Sequence, residues 1–412
     1  MSFILLVLYI LINTLIFGLY YRKDYGIFQT PCLFSLVSLI FVVPQLFQII
    51  EFVQDPDSYM TLSLLVMISC NIAIFYGFKL GNKYSIFNSA NITFNRRRVI
   101  HVLIIFAVVG GVATFMNRGA YKGGFVSGTF VVINFFSSYL DYLLIIILTV
   151  LYRKGSIPKL FWAILALVFI IQVDKFLISA RRGEAIQFVL TISFFYFYIH
   201  GQYKYQHLKW IIPLFFVLGL FFNSQIGQYR LNAYSGEMSV AENVEQLSFS
   251  FTKEITTLEN LEVNNAILGI NSCYNTGGYD YGTFNWNGII KNFIPKSLGG
   301  AKFKESLMFD NENESMVEFL CKSGSTMTGY YDAFTSFGIF AWIKFLIIGL
   351  ILGRLWKESN RSVNALVLYV ALMSPSLHSI THSSNNFFSA IVFFVLFISP
   401  FLKYCSIKYN KL

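Results

Sequence analysis

Long runs of apolar residues, separated by short polar segments, alternate along most of the chain. A helix needs about 20 apolar residues to cross the roughly 30 Å hydrocarbon layer of a membrane, because each residue rises about 1.5 Å. We therefore predict an all-α fold, a polytopic transmembrane helix bundle. Eleven segments approach or meet this length: Ser2–Tyr20, Ile27–Ile50, Tyr59–Phe78, Val99–Met116, Thr129–Leu151, Leu160–Ile178, Ala185–His200, Trp210–Ile226, Ala333–Gly353, Val363–Leu377 and Phe387–Leu402.

Composition supports the membrane interpretation. Hydrophobic residues make up 56% of the 412 positions, aromatic residues 18%, and the mean hydropathy is +0.60, so lipid must cover apolar surface that a soluble core would not need. The net charge of +10 does not indicate nucleic-acid binding, because the Lys and Arg residues flank apolar segments, where they meet lipid headgroups. The first segment has no small-residue cleavage site and runs directly into Arg22 and Lys23, so we expect it to be retained as a span.

The distribution of Lys and Arg among alternate loops predicts the orientation, because cytoplasmic loops carry the excess. The opposite short loops hold only Arg118, Lys122, Lys175, Arg181 and Arg182. We expect the N-terminus to lie outside the cytoplasm and the C-terminus to lie inside it. The richer, predicted cytoplasmic set is Arg22, Lys23, Lys79, Lys83, Arg96, Arg97, Arg98, Arg153, Lys154, Lys159, Lys204, Lys209, Arg354, Lys357, Arg361, Lys403, Lys408 and Lys411.

This division gives three regions: spans 1 to 8 over residues 1–226, a large external loop over 227–330, and spans 9 to 11 over 331–412. Apolar residues at helical spacing predict an amphipathic helix over Ser239–Val263. The glycine-aromatic segment that follows, which contains Tyr279 and Trp286, reads as irregular. Its aromatic rings suit the apolar faces of sugars, with Asn285 and Asn287 bonding hydroxyls; anchoring at the headgroup level is an equally good interpretation.

Two cysteines, Cys273 and Cys321, fall in the predicted external loop and form a candidate disulfide, although spacing alone cannot fix the pairing. Cys32, Cys70 and Cys405 fall in spans or on the cytoplasmic side, where thiols stay reduced.

Three arginines break the charge rule. Arg181 and Arg182 lie between two spans at the predicted outer end, beside Glu184, and Arg230 follows the next outer span end. Planar guanidinium groups bind phosphate at two points, so these arginines are candidates for holding a lipid-linked pyrophosphate. The alternative is that they pair with Asp174 or Glu184, or contact lipid phosphates.

His378 and His382 stand at i and i+4 near the outer end of the tenth span, which places both on one helical face. The spacing lacks the intervening Glu of a metalloprotease helix and no third ligand is evident, so we predict no metal. A neutral imidazole can accept a proton from an attacking hydroxyl, and a histidine held by loop backbone is the other interpretation.

The chain resembles the Wzy-type polymerases of bacterial surface polysaccharides. The likeness lies in the order of spans, external arginines and one large late loop, and locally in three stretches: Phe293–Leu298, Gly324–Tyr331 and Phe334–Gly338. An Arg followed eleven residues later by Gly, a pattern of some members, does not occur here.

The resemblance implies a glycosyltransferase that joins oligosaccharide repeat units carried on undecaprenyl pyrophosphate, on the outer face of the inner membrane. It implies membrane lipids and a chain-length regulator protein as partners, and we predict no cofactor. The arginines would stabilise the departing pyrophosphate, with Tyr330, Tyr279 and Trp286 contacting sugar. The base would be His378, His382, Glu184 or Asp332, among which the sequence does not choose.

Two other classes compete with this assignment. A flippase for lipid-linked oligosaccharides would also bind pyrophosphate, but such transporters are often built from repeated halves, and the sequence shows no such repeat. An O-antigen ligase has a similar architecture and uses a different acceptor.

A reporter that is active only outside the cytoplasm tests the orientation. Fused at Glu259 it is expected to be active, and fused after Lys159 or at the C-terminus it is expected to be silent. Activity at the C-terminus would overturn the predicted orientation.

Overall fold

The computed structural model describes residues 1–83, 92–117, 136–154, 159–179, 182–200, 262–294, 299–310 and 327–408, together with two isolated positions. Within them the predicted all-α class is confirmed. The helices are α1 (Ser2–Tyr21), α2 (Thr30–Phe52), α3 (Pro56–Lys83), α4 (Arg96–Asn117), α5 (Tyr139–Lys154), α6 (Lys159–Ser179), α7 (Arg182–His200), α8 (Glu262–Thr276), α9 (Thr283–Phe293), α10 (Gly300–Ser306), α11 (Gly329–Phe337), α12 (Trp342–Ser359), α13 (Val363–Thr381) and α14 (Asn385–Cys405).

Six of these helices are long and apolar enough to cross a membrane, namely α1, α2, α3, α4, α13 and α14. Helices α5, α6 and α7 contain shorter apolar stretches, and α11 with α12 would form one further, bent span. The chain is therefore a multi-pass membrane protein by length and composition of its helices. The predicted count of eleven spans is not established, because Trp210–Ile226 lies outside the described residues.

The ninth predicted span, Ala333–Gly353, is wrong as a single helix. Helices α11 and α12 meet at 112°, with a short 3-10 turn between them over Gly338–Phe340. Gly338 ends α11 with a φ of 57°, a left-handed value that favours glycine. Hydropathy missed this break because the residues on both sides of Gly338 are apolar.

Among the described helices, α3 and α12 make the most extensive contact with each other. Each carries two glycines four residues apart, Gly77 and Gly81 on α3, Gly349 and Gly353 on α12. A methyl group at any of the four would overlap the backbone of the opposite helix. This arrangement is typical of membrane helices, where small residues let two backbones approach and gain van der Waals contact.

Described basic residues at the ends of α3, α4 and α12 lie at one end of the bundle. There, the Lys357 ammonium donates to the Lys83 carbonyl at 2.8 Å, and the Arg98 guanidinium donates to the Tyr404 carbonyl at 3.1 Å. Beside them β1 (Ile92–Phe94) pairs antiparallel with β2 (Ser406–Lys408), joining the third loop to the C-terminal tail. Which side of a membrane this basic end faces stays a prediction.

The opposite end holds the N-terminus, whose ammonium group pairs with Asp57 at 2.7 Å, and the described part of the predicted large loop. The two ends of the glycine-aromatic segment are helical, in α8 up to Thr276 and in α9 from Thr283, so the prediction of an irregular stretch holds for 277–282. The Tyr59 hydroxyl donates to Asn264 at 2.8 Å, which ties α8 to the end of α3. The predicted amphipathic helix Ser239–Val263 lies almost wholly outside the described residues.

The contact between α3 and α12 predicts that a Gly→Ala substitution lowers stability at this contact but not at a helical glycine with open space around it. Gly77→Ala and Gly349→Ala force backbone apart and should lower stability by about 1–3 kcal/mol. Gly18→Ala and Gly111→Ala, at helical glycines with open space around them, should be neutral or stabilising, because Ala favours helix. Thermal unfolding in detergent measures both pairs; equal melting temperatures for the two sets would contradict the packing argument.

Candidate functional site

A buried carboxylate lies at the centre of the end opposite the basic loops. Asp332 sits in the first turn of α11, where the helix dipole favours negative charge, and its side chain is 0% exposed. The ammonium group of Lys344, from the first turn of α12, lies 2.7 Å from Asp332 Oδ1 and is also buried. The pair therefore joins the two helices on either side of the 112° bend.

The carboxylate accepts further hydrogen bonds from two other parts of the chain. Asn285 of α9 donates from Nδ2 to Oδ1 at 3.1 Å. From the turn between α13 and α14, the Ser384 backbone N–H donates to Oδ2 at 2.9 Å, the Ser383 hydroxyl at 3.1 Å, and the Ser384 hydroxyl donates to the same oxygen. With Lys344 these are five donors for a group that has about four lone-pair positions, so the carboxylate is saturated.

This saturation changes the role expected of Asp332. A general base needs an oxygen within reach of a substrate proton, and both oxygens of Asp332 are occupied and out of contact with solvent. Asp332 is better placed to position the turn that follows His382 than to accept a proton.

The polar cluster extends from Lys344 toward the loop 277–282. Besides Asp332 Oδ1, the ammonium group donates to Ser336 Oγ at 3.0 Å and to the Asp332 carbonyl at 3.3 Å. Ser336 Oγ in turn lies 3.1 Å from Asp280 Oδ1, which also accepts the Gly282 N–H at 2.6 Å. The Ser336 hydroxyl therefore links a second buried carboxylate, that of Asp280, to the ion pair.

The two histidines lie beside this cluster. His378 is in the last turn of α13, His382 follows the helix directly, and their rings are 5.4 Å apart, as the i, i+4 spacing predicts. Thr381 Oγ1 is 2.7 Å from His382 Nδ1. Helix α11 begins against this segment, because a methyl at Gly329 would overlap the Ser379 carbonyl. The structure therefore brings three of the four candidate bases, His378, His382 and Asp332, to one place.

The remaining candidates for the chemistry fall outside what the structure describes. Arg181, Arg230 and Cys321 lie outside the described residues. Arg182 begins α7 and Glu184 lies in its first turn, but their side chains are not described. The arginine pyrophosphate site thus stays a prediction. Among the residues that are described, no group of three His, Cys, Asp or Glu side chains could hold a metal ion.

The predicted sugar-binding aromatics have different surroundings. Tyr330 is 1% exposed, stacks on Phe345 and donates its hydroxyl to Asn71 at 2.8 Å, so it belongs to the packing between helices. Tyr279 is half-buried against Phe334. Trp286 is 46% exposed and donates to the Leu307 carbonyl at 2.8 Å, which leaves its ring on the surface as the one well-exposed member of the three.

The two asparagines predicted to bond sugar hydroxyls make hydrogen bonds within the protein, and their contact with sugar stays a prediction. Asn285 donates to Asp332. Asn287 donates to the Phe309 carbonyl at 2.7 Å and accepts the Phe309 N–H at 2.9 Å. Both side chains fasten α9 to its neighbours instead of facing solvent.

An uncharged polar cluster lies inside the bundle, and the sequence pattern did not predict it. Asn71 of α3 donates to Asn13 of α1 at 2.9 Å and to Ser38 of α2 at 3.2 Å, and accepts from Tyr330. Ser38 begins a π-helical stretch of α2, Ser38–Val42. The amide side chains of Asn13 and Asn71, each within an otherwise apolar span, could have indicated it, because polar groups buried in a membrane require hydrogen-bond partners.

Cys273 has a free, buried thiol that donates to the Gly278 carbonyl at 3.2 Å. Burial, and secondarily the nearby Asp280 charge, raises the pKa of this thiol to about 11, so it is almost wholly protonated at neutral pH. Because Cys321 lies outside the described residues, the Cys273–Cys321 bridge stays a prediction that mass spectrometry without reduction would decide.

Comparison of the chain with protein-family models, with curated proteins and with solved structures finds no match. The class of protein therefore rests on the residues themselves. It is a multi-pass α-helical membrane protein with a buried ion pair and two histidines at the end opposite its basic loops.

The ion pair predicts a characteristic pattern of stabilities. Lys344→Met or Asp332→Asn alone leaves an uncompensated buried charge and should cost about 3–5 kcal/mol, whereas the double variant removes both charges and should cost clearly less than the sum. Thermal or denaturant unfolding in detergent measures the three variants.

Asp57→Asn serves as a control, because it breaks an exposed pair with the N-terminal ammonium and should change stability little. If the double variant of Lys344 and Asp332 lost as much stability as the two single variants together, the two groups would not be coupled.

Proposed function

We propose that this protein is a membrane glycosyltransferase that joins lipid-pyrophosphate-linked oligosaccharide repeat units into a surface polysaccharide. The observation that carries the proposal is the cluster of His378, His382 and the buried Asp332 at one end of the bundle, opposite the basic loops. Under the predicted orientation this end faces away from the cytoplasm, at the depth where a lipid carrier presents its pyrophosphate.

The proposed reaction is a displacement at the anomeric carbon of the growing chain. A hydroxyl oxygen of the incoming unit forms a bond to that carbon, and the bond from carbon to pyrophosphate oxygen breaks. The electron pair leaves with the pyrophosphate, whose developing charge Arg181, Arg182 and Arg230 are proposed to stabilise. The hydroxyl proton passes to an imidazole nitrogen of His378 or His382.

Asp332 has an indirect part in this proposal. Its bonds to Ser383 and Ser384 fix the turn directly after His382, so it would set where that imidazole stands. Glu184, in the first turn of α7, is the alternative proton acceptor.

Deleting the gene and separating the lipopolysaccharide on a gel tests the proposal. Loss of a polymerase should leave lipid core capped with a single repeat unit. Absence of periplasmic repeat units would indicate a flippase instead, and polymer retained on the lipid carrier would indicate a ligase; either outcome would overturn the proposal.

Variants in the complemented strain then test the residues. His382→Ala and His378→Ala should shorten the ladder, and loss of the true base should lower the rate about 10²- to 10⁴-fold. His101→Ala is the matched control: this histidine is exposed in the first turns of α4 and its variant should give full-length ladders. For the arginines, Ala and Lys variants should both fail, because an ammonium cannot reproduce the two-point contact with phosphate.

A further inference from the structure

Four lysines lie on one segment at the end of the bundle opposite the basic loops. They are Lys291 of α9, Lys302 and Lys304 of α10, and Lys296 between these helices; we call them the lysine surface. Over 283–310 only Glu305 and Asp310 oppose them. Long external loops escape the rule that keeps Lys and Arg inside, so their presence here does not conflict with the predicted orientation.

The segment that carries these lysines is held firmly on α9. Three contacts fasten it: the Trp286 indole N–H to the Leu307 carbonyl, both hydrogen bonds between Asn287 and the Phe309 backbone, and the Lys304 ammonium to the Lys291 carbonyl at 2.8 Å. The surface is therefore preorganised and does not depend on folding when a ligand arrives.

The positive charges on this surface repel one another. Partial burial, and then the charges of Lys296 and Lys291, lower the pKa of Lys304 below its usual value. A neighbouring anion would relieve this repulsion. A lysine ammonium group is a compact charge whose hydrogen bonds have no fixed direction. It therefore attracts phosphate by charge and does not make the planar two-point contact that Arg makes.

Contacts with α14 place α9, and with it the lysine surface, beside one end of the last candidate span. The Asn292 amide nitrogen of α9 lies 3.5 Å from the Ser389 hydroxyl of α14, and Gly288 packs against the Asn385 side chain. Asn385 and Ser389 both lie in the first turns of α14, so α9 packs beside the end of this candidate span.

Exposed aromatic rings accompany the lysines. Trp286, Phe303 and Phe309 are 46%, 48% and 58% exposed, although each lies beside the fastened backbone. Aromatic rings with lysines at the same level are the combination by which proteins hold a membrane interface. A surface for a soluble polyanion would not need apolar rings turned outward.

We propose that the lysine surface binds the phosphate groups of anionic phospholipids around the end of α14. The aromatic rings enter the interface and the lysines meet the headgroups. This binding is independent of the proposed glycosyltransferase reaction.

Hydrogen exchange of the full chain in lipid nanodiscs tests the proposal. Peptides covering 283–310 should exchange more slowly as phosphatidylglycerol replaces phosphatidylcholine, and high salt should reverse the effect. Lys296→Gln with Lys302→Gln, both exposed and outside the fastening contacts, should raise the phosphatidylglycerol fraction needed for half protection at least fivefold, since each lysine contributes roughly a fivefold factor to binding anionic lipid. The same two positions changed to Arg should retain protection.

Lys79→Gln with Lys357→Gln, at the basic end, is the matched control and should leave exchange of 283–310 unchanged. Exchange independent of lipid charge would overturn the proposal. So would protection produced equally by soluble polygalacturonate or inorganic pyrophosphate in phosphatidylcholine nanodiscs, because the occupant would then be a soluble anion.

Discussion

The saturated carboxylate of Asp332 is the interaction on which one whole end of this protein depends. It draws a donor from α9, the ammonium of α12 and three donors from the turn before α14, around a side chain on α11. A buried charge is costly unless it is paired and hydrogen-bonded, so these four parts of the chain cannot separate without leaving that charge exposed to apolar surroundings. The position of the histidine segment follows from this constraint, because Ser383 and Ser384 come directly after His382.

The ion pair in turn relies on how α12 is held. Gly349 and Gly353 allow α12 to lie directly on the backbone of α3, whose own Gly77 and Gly81 reciprocate. This contact fixes the axis of α12 and hence the starting point of Lys344 in its first turn. Dispersion contact between close backbones stabilises helix pairs in lipid, where burial of apolar surface gives little preference for one neighbour over another. A packing contact in the membrane thus positions a charge at its edge.

The two ends of the bundle are chemically distinct. At one, Lys357 and Arg98 donate to backbone carbonyls beside a small β-ribbon. At the other, the described residues include the buried pair of Asp332 and Lys344, and a segment fastened on α9 that carries exposed lysines. The proposed reaction and the proposed lipid contact both use this second end, the first through buried, positioned groups and the second through exposed ones.

Sequence by itself determined the elements that depend on local composition. Apolar length located most of the long helices, and i, i+4 spacing brought His378 and His382 together, since each of these signals lies within about twenty neighbouring residues. The bias of Lys and Arg, compared between alternate loops along the chain, matches the described basic residues at one end of the bundle. Tertiary structure alone decided the break at Gly338, the partner of Asp332, and the engagement of Asn285 and Tyr330 inside the protein. These features could not be read from sequence because they depend on which distant residue fills the space beside a polar group, and a linear pattern does not contain that information.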